Sequence, residues 1–127
     1  MRTFKTKWFA RLARREGLAD QSLSEAIERA EQGLIDADLG GGLIKQRVAR
    51  QGQGRSGGYR MIVAYRAKNR AVFLFGFAKN ERENLEPHEL ASAREIATDL
   101  LAANDERLAQ AIAEGELQEL SRDDEKA

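Results

Sequence analysis

The apolar positions change period twice along the chain, and each change marks a new kind of element. Trp8, Phe9, Leu12 and Ala13 form a stripe between Lys7, Arg11, Arg14 and Arg15, which predicts a helix from Lys7 to Glu16 that stops at Gly17. A short strand at Arg2 to Thr6 can precede it. "SLSE", Ser22 to Glu25, has the spacing at which two side chains reciprocally satisfy the free amides of a helix start. Leu23, Ile27, Ala30 and Leu34 follow at roughly helical intervals. A second helix therefore runs up to Gly33, and the chain opens on a helical hairpin.

After the glycines at 40 to 42 the period becomes two, with Ile44, Gln46 and Val48 on one face and Lys45, Arg47 and Ala49 on the other. "GYRMIVAYR" and "RAVFLFGFAK" are two further β-rich runs, and the "AKN" between them suits a hairpin turn. Val72 to Phe77 is apolar on both faces, as in a central strand covered on one side by helices. From Pro87, well suited to a first helical position, helical spacing returns. Leu90, Ala93, Ile96, Ala97, Leu100 and Leu101 mark one helix, and Leu108, Ala111 and Ile112 a second that ends near Gly115. "GELQEL" reads either as a terminal edge strand or as frayed helix. The expected fold class is α+β: a helical hairpin packed on a small antiparallel sheet, then C-terminal helices, with residues 1–120 as one domain and the acidic residues 121–127 as a flexible tail.

Charge sharpens this reading. The formal net charge of +0 conceals a strong polarity: residues 43 to 82 hold ten Lys or Arg against one acid, Glu81, whereas residues 83 to 127 hold four against thirteen. Cations that neutralise phosphates release condensed counterions, so a segment of this kind points to a polyanionic partner. The absence of cysteine removes disulfides and thiolate metal sites from consideration and fits a reducing compartment. No apolar run approaches the ~20 residues of a spanning helix, and charges interrupt "MRTFKTKWFARLARREG" where a signal peptide needs an apolar segment. A cytoplasmic protein without a membrane partner is expected.

The basic segment centres on "KQRVARQGQGRSGGYR", residues 45 to 60, with five Lys or Arg, four Gly and no carboxylate. Together with "GLIDADLGGGLI" before it, and with "MIVAYR", "FGFAKNERENL" and the closing "GEL" after it, the run resembles the HigB-like branch of the RelE/ParE superfamily of bacterial toxins, over Lys5 to Leu117. The most specific element is "SGGYR", Ser56 to Arg60, set between a Lys-x-Arg strand and a Gly-Phe-Ala-Lys strand end. The resemblance implies a RelE-like fold and a type II toxin that enters the ribosomal A site and cuts messenger RNA until a cognate antitoxin, encoded beside it, neutralises it. The reaction it implies is transesterification: the ribose 2′-hydroxyl attacks the adjacent phosphate and a 5′-hydroxyl leaves, with no cofactor and no metal. Residues 43 to 80 contain no carboxylate to hold paired Mg²⁺, so orientation and charge stabilisation would fall to Lys and Arg.

Carried over by motif, the resemblance implies four catalytic residues: Lys45, Arg47, Arg60 and Lys79. Lys45 and Arg47 correspond to the paired basic residues of the first long strand, Arg60 to the arginine that contacts the reacting phosphate, and Lys79 to the basic cluster at the end of the last strand. A lysine acts as base only if neighbouring cations depress its pKa. Arg50, Arg55, Tyr59 and Arg82 are candidates for holding the nucleic acid. Asn80 stands where the RelE pattern has a basic residue and Glu86 where it has a tyrosine, which leaves Glu86, His88 or Lys79 as the general acid. Asp36 and Asp38, in "DADLGGG", read as a turn into a strand more naturally than as a metal site. A ParE-like inhibitor of DNA gyrase, acting by protein contact, is the alternative that the same scaffold allows, and a plain RNA-binding module is a third.

Overall fold

A computed structural model describes residues 1–50, 54–82 and 84–120, with the side chains of 50 and 54–57 also left aside; the tail expected at 121–127 lies outside the described residues. The elements in chain order are β1 (Arg2–Thr6), α1 (Lys7–Glu16), α2 (Asp20–Glu31), β2 (Ala37–Gly40), β3 (Leu43–Arg50), β4 (Gly54–Arg66), β5 (Arg70–Ala78), α3 (Pro87–Ala102), α4 (Asp105–Ala113) and β6 (Leu117–Glu119). The strands form one sheet in the order β2-β3-β4-β5-β1-β6. All neighbours are antiparallel except β1 and β5, so the sheet is mixed and larger than the small antiparallel one expected.

Local chemistry accounts for most boundaries. The Thr6 hydroxyl accepts from the Phe9 amide at the start of α1. Gly17, at φ +69°, returns its amide to the Ala13 carbonyl and ends the helix where the sequence places the stop. The second helix starts earlier than "SLSE" implies, at Asp20, because the Ser22 amide already donates to the Ala19 carbonyl and needs no side-chain cap. Asp20 supplies negative charge to that first turn and accepts from Lys5 Nζ at 2.8 Å. Pro87 stands at the start of α3, with Glu86 and Glu89 forming a capping box. "GELQEL" resolves as the edge strand β6, paired with β1.

Helices cover both faces of the sheet. On one face Phe9, Leu12 and Ala13 of α1 and Leu23, Ala26 and Ile27 of α2 bury Ile44, Val48, Tyr59, Met61 and Phe73. On the other, Ala93, Ala97 and Leu101 of α3 with Leu108 of α4 bury Leu43, Ile62, Ala64 and Val72. The apolar run Val72 to Phe77 is therefore enclosed on two sides, not one as expected from its sequence. The "AKN" turn forms as predicted, with Lys68 in the left-handed region at φ 62°. Glu31 at the end of α2 steadies that turn by accepting from the Lys68 amide at 3.0 Å and from the Tyr65 hydroxyl.

Close packing of α1 on the sheet depends on Gly76. A Cβ there would lie 2.8 Å from Leu12 Cδ2, 2.8 Å from Met61 Sδ and 3.3 Å from Phe9 Cε2. Gly76→Ala is expected to cost about 1–3 kcal/mol by overpacking, read as a lower urea midpoint with an unchanged denaturant slope.

Candidate functional site

The β3–β4–β5 register sets the site. Arg47 lies opposite Arg60, and Arg60 opposite Phe77, so the three occupy one rung across three strands. Lys45, two residues back on β3, shares the face of Arg47, and the Lys79 amide donates to the Gly58 carbonyl at 3.1 Å one step beyond β5. At about 3.3 Å per strand residue, Lys45 and Lys79 flank the central rung by roughly 7 Å on opposite sides. Lys45 Nζ donates to Asn84 Oδ1 at 2.9 Å, tying β3 to the loop that leads into α3.

One carboxylate enters this cluster from outside the basic segment. Asp36 Oδ1 is 3.0 Å from Arg47 Nε, and Asp36 Oδ2 is 3.8 Å from Arg60 Nε. Asp36 is thus more than the turn residue its sequence context implies. Its backbone is held by Gln46, whose Oε1 accepts from the Asp36 amide at 2.8 Å while Nε2 donates to the carbonyls of Ala26 at 2.8 Å and Leu34 at 3.2 Å. Gln46 is 1% exposed, so these bonds have no competition from solvent. Arg29 at the end of α2 closes the same corner by donating to the Arg47 carbonyl.

Arg60 is 6% exposed and incompletely satisfied: its Nη1 is buried without a hydrogen-bond partner, the one such side-chain atom among the described residues. Leaving a buried donor unpaired costs about 1–3 kcal/mol, a deficit that an anion placed against the guanidinium would remove. Arg82 stacks over Phe77, with Cζ 4.9 Å from the ring centre, and forks onto Glu89 at 2.8 and 3.2 Å. That hydrogen bond, with a second from the Glu86 amide, holds the Glu89 carboxyl below its usual range.

The other sequence candidates separate. Tyr59 is 2% exposed, packs in the α1–α2 core and donates its hydroxyl to Glu16, so it offers no ring face to a base and belongs to the core. Arg50 ends β3 and Arg55 is the second residue of β4, but their side chains lie outside the described residues, as do Gln51–Gln53 of the glycine turn. The Glu86 carboxylate caps α3, and His88 lines a separate cavity with Trp8 and Phe75. Asp36, Gln46 and Asn84 are the members of the site that sequence reasoning missed. The signal for Gln46 was present, a lone polar residue on the apolar face of an alternating strand; Asp36 and Asn84 are brought in by tertiary contacts alone.

The family model described as the RelE toxin of the RelE / RelB toxin-antitoxin system matches residues 1–120, and the chain belongs to that family. No curated protein matches the chain significantly. Membership brings with it a toxin of a toxin–antitoxin pair and an antitoxin as partner. Among the described residues no helix is long and apolar enough to cross a membrane.

Gln46→Leu keeps the volume and removes all three bonds of the amide. It is expected to cost about 2–4 kcal/mol of stability and to accelerate amide exchange at Asp36 and at the end of α2 relative to β5, as measured by hydrogen exchange.

Proposed function

We propose that the chain is a translation-inhibiting endoribonuclease of the HigB-like branch, cutting messenger RNA in the ribosomal A site by 2′-hydroxyl transesterification. The observation that carries this reading is Arg60, a buried guanidinium with an unfilled donor beside Arg47 on a cationic rung. In the reaction the 2′-oxygen attacks phosphorus as its proton leaves to a base, the P–O5′ bond breaks, and the 5′-oxygen takes up a proton. Arg60 faces the non-bridging oxygens and stabilises the dianionic transition state through its planar fork. Arg47, held by Asp36 through Nε with the rest of its side chain half exposed, shares that charge, and Lys45 beside it serves as the base. Lys79 is the proton donor in this scheme, since Glu86 is committed to the helix cap and His88 to another cavity. Arg50, Arg55 and Arg82 border the path of the message, with Arg82 restrained by Glu89.

Inducing the chain in a bacterial host while mapping 5′ ends on translated messages and assaying gyrase supercoiling tests this reading. Cuts within codons are expected; broken DNA with intact messages would contradict it and favour a ParE-like mode of action. Arg60→Met, similar in volume and without the unpaired donor, should unfold at the same or a higher denaturant concentration yet lose more than about 100-fold in cleavage, the order lost when one charge-stabilising donor is removed.

A further inference from the structure

Among the described residues, Asp36 brings the one carboxylate that pairs with Arg47 or Arg60, and its two oxygens are shared unequally. Oδ1 lies 3.0 Å from Arg47 Nε, a charge-assisted hydrogen bond, whereas Oδ2 lies 3.8 Å from Arg60 Nε, too far for one. Beside that loose contact Arg60 Nη1 is buried with no partner at all. An anion with two oxygens set between two guanidiniums is also the arrangement in which the non-bridging oxygens of a phosphodiester would be held. The carboxylate thus stands where the rung offers a phosphate its place. The two anions exclude each other, because a phosphate brought against Arg60 meets a like charge in a largely buried corner.

The backbone of Asp36 is fixed, while its carboxylate is held by side chains alone. Its amide donates to Gln46 Oε1 at 2.8 Å, and β2 begins at the next residue. Next to the carboxylate opens a cavity of about 300 Å³ lined by Arg29, Leu34, Ile35, Asp36, Gln46 and Arg47. The amide of Gln46 is fully engaged, and the side chains of Leu34 and Ile35 carry no polar atom. Arg29 differs from these: its Nη2 donates to the Arg47 carbonyl, yet among the described residues its guanidinium forms no ion pair. The cavity therefore has both the room for a displaced carboxylate and a cation to receive it.

We propose that Asp36 is a place-holder for phosphate that determines specificity: it bridges Arg47 and Arg60 in the free chain and gives way to the entering phosphodiester by turning into the cavity onto Arg29. The proposal rests on the reading of the rung as a phosphate site, but not on RNA cleavage. Displacing the carboxylate subtracts from the binding of every phosphate. A loose RNA backbone accordingly engages the rung weakly, whereas a phosphodiester positioned by contacts elsewhere has binding free energy available for the displacement. Selectivity of this kind comes from a repulsive element and not from an added attraction. Asp36 touches the arginines and not the reacting atoms, so it is a positioning residue.

The test titrates the full chain, without ribosomes, with inorganic phosphate and with a single-stranded oligoribonucleotide, followed by NMR. Asp36→Asn keeps the volume and the backbone bond to Gln46. It is expected to bind both ligands about fivefold more tightly than the native chain, and Asp36→Glu to return to the native affinity. A side chain that merely held the corner together would give the opposite sign, since its loss would loosen Arg47 and weaken binding. Arg29→Met should weaken phosphate binding about threefold in the native background and leave it unchanged in Asp36→Asn, where there is no carboxylate to receive. Phosphate binding that is unchanged or weaker in Asp36→Asn would overturn the proposal, as would undiminished affinity in Arg29→Met or an equal loss from Arg29→Met in both backgrounds. Tighter phosphate binding by Asp36→Asn, in a protein whose native form cuts no message, would leave the place-holder standing and remove the nuclease reading instead.

Discussion

A single buried amide, that of Gln46, joins the parts on which the rest depends. An unpaired amide in a site this enclosed would cost several kcal/mol, so the chain must bring it one N–H donor and two carbonyl acceptors. It does so by folding the middle of α2, the segment after that helix and the approach to β2 onto one residue of β3. The apolar contacts of α2 could tolerate small slips along the sheet, whereas three directed bonds from one side chain cannot. Register and corner are therefore set together.

That corner determines the character of the cationic face. Arg47, half exposed, and the buried Arg60, adjacent across β3 and β4, would repel each other if nothing intervened; Asp36 stands between them and neutralises part of the charge. Its two oxygens are unequally placed, close to Arg47 and farther from Arg60, so Arg60 is oriented without being saturated. A fold optimised for stability alone would fill the Nη1 donor or replace the side chain with an apolar one. Its retention as a buried, unsatisfied cation is the kind of local inconsistency that functional sites carry and the surrounding packing sustains.

Much of this could be read from the residues in order. Period-two alternation placed Lys45 and Arg47 on one face of a strand, Gly17 ended the first helix, and Pro87 began the third, because each signal is local and acts within a few bonds. What escaped were contacts between segments. The stretch at Ala37–Gly40 reads as a turn because the glycines at 40 to 42 dominate, yet pairing with β3 makes it a strand. Counting carboxylates within residues 43 to 80 could not detect Asp36, which approaches through the fold and not along the chain. Tyr59 sits beside Arg60 in the sequence, but alternation sends the two to opposite faces, one to the core and one to the charged rung. The parallel β1–β5 pairing follows from topology that no local pattern encodes.

The account turns on whether the open donor of Arg60 receives a phosphate. Arginine side-chain NMR during titration with a 2′-deoxy dinucleotide, which can bind but has no attacking hydroxyl, addresses this directly. Saturable shifts of the Arg60 Nε–H and Nη–H signals, accompanied by Arg47 and absent from Arg11 and Arg14, are the predicted result. Shifts confined to the exposed arginines of α1, with Arg60 unmoved at saturation, would contradict it.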